Sequence, residues 1–217
     1  MLNFFIIIVI CNALHIMSIA AAGRAAGVRI MAISIGLGPV LIKHNGFILK
    51  LLPINGYVKF LDSRACDVSD NDLPFAFDHQ SIARQIMIAL AGCTVHLVLA
   101  VVLVGASAWH DWIAFPVQYV VGALSPFDDA QILLHEAGRL IDSSTFLTLM
   151  GIVAAKLAAY HLFPMVGFNG WQIIITLAQH LGLNKFAPDL IYKADAFLTI
   201  ATSLSWCLAI AYAVRPW

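Results

Sequence analysis

The 217-residue chain is 61% hydrophobic and only 11% charged, against about 45–50% apolar and about 25% charged in an average soluble domain, so water is not its main solvent. Its 12 Lys and Arg balance its 12 Asp and Glu, and the basic residues form no run; a nucleic-acid partner is excluded on that ground. The lipid bilayer is the partner that composition predicts.

A helix needs about 20 mostly apolar residues to cross the hydrocarbon core. Residues 2–22 are the first such run. No Lys or Arg precedes it, while Arg24 and Arg29 follow it. That is the reverse of a signal peptide's charge order, so the run reads as a span and not a cleaved leader. Residues 31–62 carry the chain's strand character. Val40–Lys43 and Phe47–Leu51 flank Asn45-Gly46, a pair that tolerates the positive φ of a tight hairpin turn, and a second short strand is predicted from Tyr57 to Leu61. The hairpin is apolar for a loop and is expected to dip into the membrane interface or pack on the spans. Residues 67–72 are an acidic, solvated connector.

Residues 85–108 form the second span. After it, residues 131–141 repeat apolar side chains at helical spacing, an amphipathic helix at the outer interface. Its His135-Glu136 pair starts like a zinc motif, but Arg139 holds the place of the second His, which leaves a helix-surface role. The apolar stretch 143–183 is about twice what one span requires. It is expected to break at Phe163-Pro164 through Gly170, where proline removes a donor and glycines loosen the helix. The third span is then 143–162, and 196–214 is the fourth. Irregular backbone at membrane depth survives only where protein or water lines it, so the break marks a site.

Basic residues between the first and second spans, together with Lys185 and Lys193, put loops 23–84 and 163–195 on the cytoplasmic side. The acidic segment 109–142 and both termini fall outside. The expectation is a multi-pass inner-membrane protein: an α-helical polytopic chain of about four transmembrane helices, with a membrane-associated β-hairpin between the first two, forming one domain over residues 1–217. Cys11, Cys93 and Cys207 lie in spans and Cys66 in a loop, which is no disulfide framework.

Three stretches carry a resemblance. Gly27-Val28-Arg29, Ser34-Ile35-Gly36-Leu37-Gly38-Pro39 and Leu52-Pro53-Ile54-Asn55-Gly56-Tyr57-Val58-Lys59-Phe60-Leu61-Asp62 are similar, in order and spacing, to the GVR, SIGFG and PLGGYVKMLD stretches of the site-2 protease family of intramembrane zinc metalloproteases. Ala91-Gly92-Cys93-Thr94-Val95-His96 lies over that family's G-P-x-x-N motif, and His161 through Gly170 over N-x-x-P-x-P-x-L-D-G. The resemblance implies a site-2 protease core without the inserted PDZ domain of larger members. It also implies a hairpin edge that engages extended substrate, here Phe47, Ile48, Leu49, Asn55, Gly56 and Tyr57.

In that family H-E-x-x-H gives two zinc ligands and a general base, and the Asp of L-D-G gives the third ligand. Here the five positions read His15-Ile16-Met17-Ser18-Ile19, and Asn169 stands at the Asp position. A catalytic zinc needs three protein ligands, an open position for water and a base to take that water's proton. Losing the base alone costs about 10²- to 10⁴-fold in rate. Zinc is therefore not expected to bind in the family manner. The resemblance points instead to a pseudoprotease that holds a transmembrane or extended segment without cutting it.

His96 and His161 stand where the family has asparagine, so His15, His96 and His161 lie in three different spans. Intramembrane polar residues tend to face the bundle interior. The three imidazoles either satisfy buried partners or meet as an imidazole metal site, to which Cys11, one turn before His15, would add a soft ligand. An active protease with a rearranged metal centre and an intramembrane metal-binding protein are the alternatives. Lys156 must pair, snorkel or reach a wet cavity, and Tyr160 one turn away is a possible partner.

Overall fold

The computed structural model describes residues 1–183 and 188–215. Lys185, used above for orientation, lies outside the described residues. The chain runs α1 (Leu2–Ala25), β1 (Ile30–His44), β2 (Phe47–Phe60), a short 3-10 turn (Leu73–Phe75), α2 (Ile82–Val104), α3 (Ser107–Leu124), α4 (Asp129–Ser143), α5 (Phe146–His161), α6 (Asn169–His180) and α7 (Pro188–Ala213).

Three helical segments are long and apolar enough to cross a membrane: Leu2–Ala25, Ile82–Val104 and Tyr192–Ala213. The expected third span is shorter than that. α5 has 16 residues, about 24 Å at 1.5 Å per residue. It starts where the Thr145 hydroxyl caps the Thr148 N–H and stops ahead of Pro164. The helix compensates by burial. Its Gly151, Ala154, Ala155, Ala158 and Ala159 let it sit tightly against α2 and α1, and Ile7, Cys11, Ala100, Leu149 and Val153 complete that core.

The second span ends earlier than its apolar run. Gly105, at φ +63°, terminates α2, and the chain turns into α3, a helix the sequence reading did not assign. His110, Asp111, Gln118 and the internal Pro116 had hidden it. α3 packs on α5 and α7. α4 covers the predicted amphipathic helix and adds two residues at each end.

The predicted hairpin and the separate strand merge into one sheet of β1 and β2. The turn is at Asn45-Gly46 as its residues require, with φ values of +46° and +81°. Ile33, Ser34 and Ile35 each pair twice, with Phe47, Ile48 and Leu49 and again with Val58, Tyr57 and Gly56. The middle of β1 is therefore flanked on both edges by the two halves of β2. The sheet leans on α1: Gly23 makes room for the Phe60 ring, and the Asn12 amide donates to the carbonyls of Pro53 (3.2 Å) and Asn55 (2.9 Å). From Gly23 to Asn12 is 11 residues, so β2 climbs about 16 Å along α1.

Candidate functional site

His15 sits on the inward face of α1, His96 on α2 and His161 at the end of α5. Ring centroids are 5.2 Å apart for His15 and His96, 3.7 Å for His15 and His161, and 6.2 Å for His96 and His161. His15 reaches α2 because residue 92 is glycine: a methyl group there would lie 2.4 Å from Nδ1 of His15.

Hydrogen bonds fix which nitrogens carry protons. The Asn169 amide nitrogen donates to the Ala89 carbonyl at 2.6 Å, so its oxygen must face His15. His15 Nε2, 3.1 Å from that oxygen, is then the donor. His96 Nε2 likewise donates to the Cys11 carbonyl at 2.9 Å. The neutral tautomers leave Nδ1 of both rings as bare lone pairs, and both atoms are buried without a hydrogen-bond partner.

The family's zinc does not fit this donor set. Two ligands bonded to one zinc at about 2.0–2.2 Å in tetrahedral geometry stand roughly 3.4 Å apart. His15 and Asn169 keep nearly that spacing, but a hydrogen atom joins them. Asn169 offers a neutral amide already committed at both ends, Ile19 offers no ligand atom, and Ile16 is an apolar side chain buried to 3% exposure. The three histidines do not replace the set as they stand. His15 and His161 stack within 19° of parallel, so their in-plane lone pairs run side by side, and the proton-bearing nitrogen of His96 is spent on Cys11. Among the described residues no group of three or more His, Cys, Asp or Glu is arranged to hold a metal ion.

His15, His161 and Asn169 open onto a cavity of about 430 Å³ whose far wall is Gly56, Val58 and Lys59 of β2, while His96 is fully buried behind them. Ile16 packs against Gly56: a methyl group on that glycine would meet Ile16 Cδ1 at 2.5 Å and the Ser34 carbonyl at 2.2 Å. The position of the family's base is thus filled by hydrocarbon that seals α1 to the sheet.

Of the six residues expected to contact an extended segment, Asn55 and Gly56 line this cavity and Phe47, Ile48, Leu49 and Tyr57 do not. The first three belong to the other half of β2, paired with β1 on both sides. Tyr57 points away, half-exposed, under Lys50. The sequence reading missed Asn12, Val58 and Lys59. Asn12 was visible as a polar residue in an apolar helix, one turn before His15.

Other candidates are placed elsewhere. Cys11 is buried in the helical core, and all four cysteines are free. His135 and Glu136 lie exposed on α4. Lys156 turns to Gln118 at 2.7 Å and not to Tyr160, which joins an aromatic cluster with Phe115, Tyr119, Phe163 and Phe168. At the base of the sheet, the Arg29 guanidinium beside Asp72 holds that carboxyl below the usual range. Burial raises the Asp78 carboxyl, but bonds from the Ser63 hydroxyl and N–H outweigh it and leave Asp78 lowered.

The chain is 39% identical over 111 residues to a candidate zinc metalloprotease of Neisseria meningitidis, covering 49% of this chain and 25% of that one. To a candidate zinc metalloprotease of Vibrio cholerae it is 27% identical over 192 residues, covering 84% and 40%. To the regulator of sigma-E protease RseP of Salmonella typhimurium it is 28% identical over 113 residues, covering 48% and 24%. It spans a quarter to two fifths of the length of these relatives. The model of peptidase family M50 matches residues 3–202, and with that match, the apolar helices and the remnant motifs around His15 and Asn169, this membrane protein belongs to peptidase family M50.

Proposed function

We propose that this chain is a non-hydrolytic member of its family, a multi-pass membrane protein that holds an extended or transmembrane protein segment against β2 without cutting it. The observation that carries the reading is the Asn169 amide, bonded at once to His15 and Ala89, where hydrolysis by the family mechanism requires a metal-bound carboxylate. Ile16 supports it by filling the base position. The sheet edge from Asn55 to Phe60 remains along the cavity, and strand addition needs backbone groups and not catalytic side chains. Loops 23–84 and 163–195 face the cytoplasm in this reading.

The test is a reporter transmembrane peptide presented to purified protein carrying a photo-crosslinker at Val58. Crosslinking without cleavage by the wild type is expected. Cleavage that survives Ile16→Ala and stops with His15→Ala would overturn the reading in favour of a rearranged catalytic centre.

A second reading, an intramembrane metal-binding protein, is favoured by one observation: two bare, buried Nδ1 lone pairs on His15 and His96. It requires ring rotation, and it predicts stoichiometric metal that His96→Ala abolishes.

A further inference from the structure

The sheet has a second free edge. Ile33, Ser34 and Ile35 are paired on both sides, but Val40 to His44 pair only with Phe47 to Lys50. Alternate residues from Val40 to His44 therefore turn N–H and C=O toward an edge that no strand fills among the described residues. All five are exposed, with Val40, Leu41 and Ile42 at 53%, 57% and 53%. This edge is three strand spacings, about 14 Å, from the one that lines the histidine cavity, and none of its residues borders that cavity.

Depth decides what that openness costs. Ile42, Leu49, Ile35 and Gly56 form one row across the sheet, and Gly56 lies against Ile16 of α1. The five residue steps of β2 from Phe60 to Asn55 rise about 16 Å, the same climb made along α1, so strand and helix run side by side and the row crosses at the level of Ile16. Ile16 is nine residues from the Ala25 end of α1, about 13–14 Å, well inside a hydrocarbon core about 30 Å thick. An open sheet edge does not survive against lipid there; protein must cover it or water must fill a cavity beside it. Among the described residues no element packs across Val40 to Ile42 to enclose water. The cover must bring its own backbone donors and acceptors, which is what a strand does.

Charge narrows the kind of strand. Residues 30–60 contain Lys43, His44, Lys50 and Lys59 and no Asp or Glu, and among the described residues none of these lysines is ion-paired. A second copy of this edge would bring only further cations. We propose that Val40 to His44 takes an extended apolar segment of a partner membrane protein, added as a strand and carrying a carboxylate beside Lys43. The partner sits on the side of the sheet away from His15, so this docking is separate from the segment held along Asn55 to Phe60 and does not depend on it.

The test reconstitutes the full chain in lipid nanodiscs and titrates a short synthetic Val/Ile peptide ending in Glu, with a photo-crosslinker at Leu41 or, separately, at Val58. Saturable crosslinking from position 41 is expected, with slowed amide exchange in residues 40–44. Methylating one alternate set of the peptide's N–H groups should abolish binding and methylating the other should leave it, as strand addition requires. Lys43→Glu should weaken binding of this peptide roughly tenfold and favour the same peptide ending in Lys. No saturable binding, the same response to both methylations, or indifference to Lys43→Glu would overturn the proposal. Crosslinking from Val58 alone would leave the cavity edge standing and overturn this one. Crosslinks between two copies at Leu41 without peptide would overturn the partner and assign the edge to a second copy of the chain.

Discussion

The sheet and the histidine centre face each other across one cavity, yet one keeps the family's motifs and the other does not. Gly27-Val28-Arg29, Ser34-Ile35-Gly36 and Gly56-Tyr57-Val58-Lys59 retain order and spacing, whereas of the family's four metal and base positions only His15 remains. The difference lies in what each region asks of its residues. A strand edge works through backbone groups, which many side chains leave intact. A metal centre works through specific side-chain atoms, and one amide in place of one carboxylate changes its chemistry. In this chain the change has been absorbed: Asn169 bonds α6 to α1 through His15 and to α2 through Ala89, so three helices are joined by hydrogen bonds at the place where a metal would join two.

The largest expected effects come from closing the spaces that let the two regions approach. Gly92→Val would drive the His15 ring off α2, and overpacking of this kind costs about 1–3 kcal/mol; loss of folded, monodisperse protein on size exclusion checks it. Gly56→Val should be as damaging, since its side chain would meet both Ser34 and Ile16.

Asn169→Ala comes next. It strands the His15 N–H, at about 1–3 kcal/mol for an unsatisfied buried group, while the Ala89 carbonyl keeps its bond within α2. Asn169→Asp should be no better without metal, because a carboxylate cannot donate to Ala89. Denaturant midpoints measured with and without added zinc separate the hydrogen-bonded centre from a metal-bound one.

Asn12→Ala tests the sheet's half of the comparison. It removes two bonds to β2 at about 0.5–1.5 kcal/mol each. Hydrogen exchange should rise at residues 53–57 while α2 and α5 stay protected.

The smallest effect is a pH dependence confined to the sheet's base. The Asp78 carboxyl is held below its ordinary value by Ser63, so its contribution is present above the unfolded-state pKa and is lost as pH falls through the lowered folded value. Ser63→Ala should flatten that acid limb in thermal melts, without altering the histidine centre.

Much of this architecture was legible in the residues because the signals are local. Apolar runs at 2–22 and 85–108 pointed to the helices that the structure places at Leu2–Ala25 and Ile82–Val104, Asn45-Gly46 gave the turn, and Pro164 with Gly167 and Gly170 gave the break that sets Asn169 at the start of α6. α3 was not legible, since Asp111, Gln118 and Pro116 dilute its apolar face and Gly105 alone marks where α2 stops. The double pairing of Ile33–Ile35 was equally hidden. It depends on β2 folding around β1, and no local pattern encodes which edge each half takes. At the site, the separate origins of the three histidines were readable from spacing. The tautomers were not, because they follow from the Ala89 and Cys11 carbonyls on neighbouring helices.

The most direct test of the central claim, that hydrogen bonds and not a metal hold this centre, is elemental mass spectrometry of the purified protein, wild type beside Ile16→Glu/Ile19→His/Asn169→Asp. The account predicts no stoichiometric metal in the wild type and about one zinc per chain in the triple variant. One equivalent of metal in the wild type, lost in His15→Ala, would contradict it.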